Sequence, residues 1–143
     1  MEQKFVSEFE ANQYSPLVLA FLGDSIYEKC VRLRLVRLTS MPAGRLHNIS
    51  VKVVCAAFQA QAAKEILPML TENELAVFKR GRNAHGNTVP KSANAQDYRK
   101  ATGLEALFGY LYLISKEERI EEIFDVIWKL FADSFDEYSF NNS

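Results

Sequence analysis

Cysteine, proline and glycine are all scarce in this chain of 143 residues, which contains two, four and six of them respectively. Cys30 and Cys55 lie within apolar helical patterns, and their spacing is not that of metal ligands. We therefore expect two reduced core thiols rather than a disulfide, as is usual in a cytoplasmic protein.

Long apolar runs are also missing. No stretch approaches the roughly 20 consecutive apolar residues that a membrane-spanning helix requires. The first residues, 1–4, are polar and do not resemble the start of a signal peptide. We expect a cytoplasmic protein that has no membrane partner.

Several catalytic motifs are absent as well. The sequence has no glycine-rich loop of the nucleotide-binding kind, no His-Glu-x-x-His and no paired Cys-x-x-Cys. Ser25 has no obvious base nearby in the sequence, so a serine nucleophile has little support. These absences argue against nucleotide-dependent, zinc-dependent and serine-dependent chemistry.

The charge that is present is strongly segregated, although the formal net charge is only -1. Residues 29–52 contain six Lys or Arg and no acid, and residues 79–100 contain six more with Asp97 alone. The end of the chain, residues 117–137, is mainly acidic. Such runs can be plain solvated helix faces, but two acid-poor basic windows favour an anionic partner.

Apolar periodicity and capping residues predict helices throughout the chain. We find no strand pattern, internal repeat or domain boundary, and 48% of the residues are hydrophobic. The expected structure is one all-α domain over residues 1–143, with a core at about 15–134. The predicted helices cover residues 15–38, which should be central, and 43–66, 71–79, 94–114 and 115–134.

Two of these helices place a carboxylate on an apolar face close to a glycine. Asp24 follows Gly23, and Glu105 lies one helical turn before Gly109. Small residues at these positions would let the helix backbones approach, so that the carboxylates converge on a hard cation such as Mg²⁺. Alternatively, Glu105 pairs with a basic neighbour such as Arg99 or Lys100, and Asp24 only caps or bridges other groups.

Four runs in the sequence resemble motifs of the ribonuclease III family. Residues 22–28 (LGDSIYE) are similar to the second half of its signature, and residues 105–111 (EALFGYL) to its second acidic motif. Residues 78–84 (FKRGRNA) and 88–91 (TVPK) resemble the Mini-III branch, whose catalytic domain stands alone without a double-stranded-RNA-binding domain.

The resemblance implies an all-α ribonuclease III catalytic fold that acts as a homodimer. It implies Mg²⁺-dependent cleavage of double-stranded RNA, which leaves 5′-phosphate and 3′-hydroxyl ends, in maturation of the large-subunit (23S) ribosomal RNA precursor. Asp24 matches the family's catalytic aspartate, and Glu105 matches its catalytic, metal-binding glutamate. Whether a ribosomal protein presents the RNA stem is left open.

The sequence departs from the full-length enzymes at three acidic positions. Leu17 and Ala20 stand where their signature has glutamates, and Thr102 stands where they carry an aspartate. Fewer direct ligands should weaken metal binding and make a second metal less certain. Glu28 is interpreted as a supporting or packing residue.

RNA binding must then depend on the catalytic domain, through phosphates and 2′-hydroxyls. The segment 81–92 is basic and free of acids; it is either functional or only a surface loop. The residues expected to contact RNA are Lys79, Arg80, Arg82, Asn83, His85, Lys91 and Arg99.

Two other functions remain open from the residues alone. A non-catalytic double-stranded-RNA-binding or ribosome-assembly module would bind RNA without metal-dependent cleavage. A helical protein-interaction domain would show no salt-sensitive RNA affinity at all.

Overall fold

The structure is a computed structural model that describes residues 6–85 and 94–134. Within those ranges all the regular secondary structure is helical, as the sequence predicts. In the same ranges, no helix is long and apolar enough to span a membrane. The helices are α1 (Glu8–Ala11), α2 (Pro16–Leu38), α3 (Ala43–Val54), α4 (Ala56–Ile66), α5 (Glu72–Arg82), α6 (Ala95–Leu113) and α7 (Glu117–Ser134), with one 3₁₀ turn at Leu67–Met69.

The central helix is α6, whereas the sequence favoured α2. Residues from Ala101 to Leu111 of α6 are buried with the exception of Glu105, because α2, α4 and α5 surround this helix. The apolar residues of α2 also lie all round the helix, but one side remains in solvent, where Phe21 is 84% exposed. The core of the domain therefore packs around α6.

The closest approach in the bundle joins α2 to α6 at two glycines. A Cβ added to Gly23 would overlap the carbonyl oxygen of Glu105, and one added to Gly109 would overlap that of Leu19. Because neither glycine has a side chain, the two backbones touch directly. The prediction that Gly23 and Gly109 allow the helices to approach is confirmed.

The helix predicted at 43–66 is two helices, α3 and α4, which meet at Cys55. The backbone of Cys55 is extended (φ -67°, ψ 153°), so the helical hydrogen bonds are interrupted there. Side chains bind the freed carbonyls at the end of α3: the Tyr27 hydroxyl donates to Val53 at 2.8 Å, and the Gln59 amide donates to Val54 at 2.9 Å. Both cysteines are free, as predicted. Cys30 is buried, but Cys55 is exposed, so the prediction that both are core residues is wrong for Cys55.

Helix α5 begins at a capping box, in which the side chains of Thr71 and Glu74 each accept a hydrogen bond from the other residue's backbone N–H. The Glu74 carboxylate also receives two hydrogen bonds of 2.9 Å from the Arg119 guanidinium of α7. Burial alone would raise the pKa of Glu74, but these bonds outweigh it and lower the pKa. The helix predicted over residues 71–79 continues to Arg82, because Gly81 lies within α5, buried against Gly103 of α6.

Gly23→Ala tests the contact between α2 and α6. We expect the free energy of unfolding to fall by about 3 kcal/mol, the upper end of the usual range for overpacking, because the added methyl group meets a rigid backbone carbonyl and must separate two helices. Urea denaturation in EDTA measures the change. Gly44→Ala is the control, because nothing lies within 4 Å of the added methyl group at that helical position, and it should stay within about 1 kcal/mol of the wild type. Equal effects of the two substitutions would contradict this interpretation.

Candidate active site

Asp24 of α2 and Glu105 of α6 meet where the two glycines bring their helices together. Their side chains are hydrogen-bonded to each other. Asp24 is exposed to solvent, whereas Glu105 is the half-buried residue in an otherwise buried stretch of α6. The convergence that the sequence predicts for these two carboxylates is therefore seen in the structure.

The pair carries an electrostatic cost. Burial of Glu105, together with the hydrogen bond to Asp24 and its negative charge, raises the pKa of Glu105 to about 8. A carboxyl group with this pKa holds its proton at neutral pH while no cation is nearby. A divalent cation between the two groups would reverse that balance by stabilising both ionised carboxylates.

Two further side chains interact with Glu105. The Gln59 amide of α4 contacts the Glu105 carboxyl, and this hydrogen bond acts to lower its pKa. Tyr27 is fully buried beneath the site, and burial, with smaller contributions from Cys55 and Glu105, raises its pKa. Its hydroxyl stays bound to Val53 and so anchors the end of α3 against α2.

The residues present fit a hard, oxygen-preferring cation. Two carboxylates meet at this place, and the Gln59 amide that contacts Glu105 is neutral, so the site holds oxygen ligands and no cationic side chain among the described partners of Glu105. Within the described ranges, no group of three His, Cys, Asp or Glu could hold a metal. A site of this kind suits Mg²⁺, which is bound through one or two carboxylates and takes substrate phosphate oxygens as well.

Thr102, which the resemblance places where the full-length enzymes carry an aspartate, is bound to neighbouring groups of the protein. Its hydroxyl donates to the Tyr98 carbonyl at 3.0 Å and lies 3.1 Å from His85 Nε2. The His85 ring also stacks at an angle on Tyr98, with 4.9 Å between the ring centroids. The structure therefore places His85 against α6, one turn before Glu105.

Glu28 extends the Asp24 face of α2 by one turn but has a partner of its own. Its carboxylate accepts a hydrogen bond of 2.9 Å from Arg32 on the solvent side. Among the residues that the structure describes, the side-chain partners of Glu105 are Asp24 and Gln59, so the alternative pairing with a basic neighbour is not found there. Arg99 and Lys100 line a separate cavity instead.

That basic cavity, of about 350 Å³, lies between the end of α5 and the start of α6. It brings together three of the predicted RNA contacts, Arg82, Asn83 and Arg99. Lys79 is exposed on α5. Arg80 does not line this cavity, and its guanidinium donates to the Tyr14 carbonyl at 3.2 Å. Lys91 lies outside the described residues. The described residues that line it are Arg82, Asn83, Ala95, Gln96, Arg99 and Lys100.

Sequence reasoning missed Gln59 and Tyr27. Gln59 is one of two glutamines in an alanine-rich helix, and nothing local distinguishes it from the exposed Gln61. Tyr27 lies in the apolar pattern of α2, and this pattern predicts that the residue is in the core but not that it lies near Glu105. Their proximity to Glu105 depends on the break at Cys55, which the apolar periodicity does not reveal.

The raised pKa of Glu105 predicts how stability depends on pH in cation-free buffer. The folded state keeps the Glu105 proton up to about pH 8, whereas the unfolded chain releases it near its ordinary pKa of 4.5. The free energy of unfolding should therefore fall as pH rises through this window, by roughly 2–5 kcal/mol. Denaturation of the wild type and Glu105→Gln in EDTA from pH 4 to 9 measures the effect. A stability difference between them that stays constant across this range would contradict it.

Comparison with known proteins agrees with these observations. Residues 17–116 match the family profile described as Ribonuclease III domain. The chain is 48% identical over 114 residues to Mini-ribonuclease 3 of Brevibacillus brevis, covering 80% of this chain and 85% of that protein. It is 41% identical over 126 residues to Mini-ribonuclease 3 of Clostridium tetani, covering 87% and 83%.

A solved structure shows the same architecture. An X-ray structure of a protein from Fusobacterium nucleatum superposes with a TM-score of 0.74 at 35% identity, covering 82% of this chain and 93% of that one. The family match spans both helices that carry the converging carboxylates. This chain therefore belongs to the ribonuclease III family of endoribonucleases, and within it to the Mini-ribonuclease 3 group.

Proposed function

We propose that this endoribonuclease hydrolyses double-stranded RNA with Mg²⁺ held between Asp24 and Glu105, leaving 5′-phosphate and 3′-hydroxyl ends. The observation that carries the proposal is the hydrogen-bonded contact of these two carboxylates on facing helices. Mg²⁺ bound there would activate water and offset charge on the phosphodiester. The biological substrate is the stem formed by the paired ends of the 23S ribosomal RNA precursor, and no membrane is involved.

The protein contributes position and charge to this reaction. The glycine contact fixes Asp24 relative to Glu105, so the carboxylates that would hold the cation are already positioned before RNA arrives. The Glu105 carboxyl must lose its proton to take part, and its raised pKa makes that loss depend on the cation. Asp24 is exposed and therefore accessible to a phosphate of the RNA.

The basic cavity supports the choice of RNA as substrate. Arg82, Arg99 and Lys100 line it near the start of the helix that carries Glu105, and none of the described lining residues is acidic. Cationic side chains of this kind bind phosphates, which dominate the affinity for duplex RNA. Binding through one domain should therefore weaken steeply as salt rises.

An exposed apolar face on α2 supports a homodimer. Leu17, Val18 and Phe21 lie together at helical spacing, and Phe21 is 84% exposed. A phenylalanine that remains in solvent in the monomer is typical of a protein interface. Asp24 lies one turn further along α2, so a partner covering this face would border the active site.

Asp24→Asn and Glu105→Gln test the proposed reaction. Each should lower the Mg²⁺-dependent cleavage rate of a long RNA duplex by at least about 100-fold, because each removes charge from the cation site. Gel analysis of products at low salt, with and without Mg²⁺, gives the rate, and fluorescence anisotropy checks that the duplex still binds.

Glu28→Gln is the matched control for that experiment. It removes a carboxylate that lies on the same face of α2 as Asp24 but is paired with Arg32. Cleavage should therefore stay within a few-fold of the wild type. Full Mg²⁺-dependent activity in Asp24→Asn would show that the reaction does not use this pair. A 23S precursor stem should be cut into discrete products by the wild type.

Phe21→Ser tests the homodimer. The wild type should behave in light scattering as twice the 16.3 kDa chain, and Phe21→Ser as a single chain, because the substitution removes the most exposed aromatic ring of the apolar face. Val36→Ser is the control, since Val36 is 65% exposed on the far part of the same helix and should leave the dimer intact. A Phe21→Ser variant that remains dimeric would place the interface elsewhere.

A further inference from the structure

The side chain of His85 is attached to α6 through one ring nitrogen and through the ring itself. Its Nε2 atom lies 3.1 Å from the Thr102 hydroxyl, and its ring centroid lies 4.9 Å from that of Tyr98. Because the Thr102 hydroxyl donates its hydrogen to the Tyr98 carbonyl at 3.0 Å, its oxygen accepts and His85 Nε2 is the donor. These contacts fix the orientation of the His85 ring against α6.

His85 is one end of a short turn that is also fixed at its other end. Helix α5 ends here, and the chain turns through residues 82–85 beside α6. At the first end, a Cβ added to Gly81 would lie 3.0 Å from the Cα of Gly103 and 3.2 Å from the carbonyl oxygen of Thr102. At the second end, the Thr102 hydroxyl binds His85. Thr102 therefore supports both ends of the turn, one with its carbonyl and one with its hydroxyl.

Arg82 and Asn83 lie within this turn, between its two fixed ends. Both line the basic cavity, and the other described lining residues belong to the first turns of α6. Arg82 Nε donates to Asn83 Oδ1 at 3.2 Å, so the two side chains are held to each other. A shift of the turn would therefore move both side chains relative to Arg99 on the opposite side of the cavity.

We propose that His85 is a positioning residue, which through its bond to Thr102 holds Arg82 and Asn83 in place to bind a phosphate of the RNA. Thr102 is only 4% exposed, so its hydroxyl acts on RNA through the groups that it binds. The sequence predicts a direct RNA contact for His85, whereas this role requires no contact between His85 and RNA. The inference rests on the proposed function and explains how one part of its RNA-binding surface is held.

The place of Thr102 on α6 also fits this role. It lies one helical turn before Glu105, where the resemblance places an aspartate of the full-length enzymes. A neutral hydroxyl accepts the hydrogen bond of His85 without adding a negative charge near the carboxylate pair. Successive turns of α6 thus hold the basic cavity and the candidate cation site at a fixed distance from each other.

Thr102→Val removes the hydroxyl, and His85→Phe removes the donor but keeps a ring against Tyr98. In each variant, the dissociation constant for a fluorescent RNA duplex should rise about threefold to tenfold, the effect of one lost hydrogen bond. Fluorescence anisotropy in EDTA at several potassium chloride concentrations measures the change without cleavage. The salt dependence of log Kd should weaken by about one unit of slope, as for the loss of one phosphate contact. Lower stability of the fold alone would not change that slope.

Two controls accompany these variants. Thr102→Ser keeps the hydroxyl and should bind the duplex as the wild type does. His47→Phe is the matched control for His85→Phe, because His47 is exposed on α3, and its affinity should also equal that of the wild type. With Mg²⁺, KM should rise in Thr102→Val and His85→Phe while kcat stays within about twofold, since neither substitution touches the carboxylate pair.

Arg82→Gln distinguishes positioning from a direct contact between His85 and RNA. His85→Phe should weaken binding much less in the Arg82→Gln background than in the wild type, because the arginine that it positions is already gone. Full additivity of the two substitutions would overturn the proposal, and so would an unchanged dissociation constant in folded Thr102→Val. If circular dichroism shows that Thr102→Val is unfolded, the combination of His85→Phe with Arg82→Gln decides.

Binding by the wild type keeps this inference distinct from the proposed function. Salt-dependent binding that is the same in the wild type, Thr102→Val and His85→Phe would reject only the role of His85. Absence of salt-dependent binding in the wild type would reject RNA as the substrate, and with it the role of His85. Similar losses of affinity in Thr102→Val and His85→Phe, with wild-type binding in Thr102→Ser, are the result we expect.

Discussion

The direct backbone contact between α2 and α6 is the constraint on which the candidate site depends. Gly23 and Gly109 bring the helices so close that a single methyl group on either one would overlap a carbonyl oxygen. Asp24 is next to one of these glycines in the sequence, and Glu105 supplies the carbonyl that Gly23 touches. The contact that holds the core together therefore also sets the spacing of the two carboxylates, so packing and chemistry cannot change independently.

Those features that depend on local sequence were predictable. Gly23–Asp24 and Glu105 with Gly109 lie within single helical turns, so their periodicity alone indicates a close crossing with carboxylates beside it. The break at Cys55 was not predictable, because it is stabilised by Tyr27 and Gln59, which lie near it only in the folded chain. The same is true of Arg80, whose position on α5 suggests an RNA contact but whose guanidinium reaches the Tyr14 carbonyl.

Membership of the ribonuclease III family favours the enzyme over a non-catalytic RNA-binding module or a plain interaction domain. The physical reason lies in the cost of the site. A binding module gains nothing from a half-buried carboxylate whose pKa is raised to about 8 by burial and by a second carboxylate. Such a pair is destabilising at neutral pH unless a cation binds, which is typical of functional rather than structural groups.

A short stretch of α2 contains a core contact, an exposed apolar residue and a residue of the candidate site. Gly23 packs against α6, Phe21 is exposed to solvent, and Asp24 is exposed next to Gly23. Because side chains three residues apart in a helix are neighbours, a partner that covers Phe21 must also approach Asp24. Dimer formation would then change the exposure of the cation site. If the proposed dimer forms through this face, assembly and catalysis are coupled through α2.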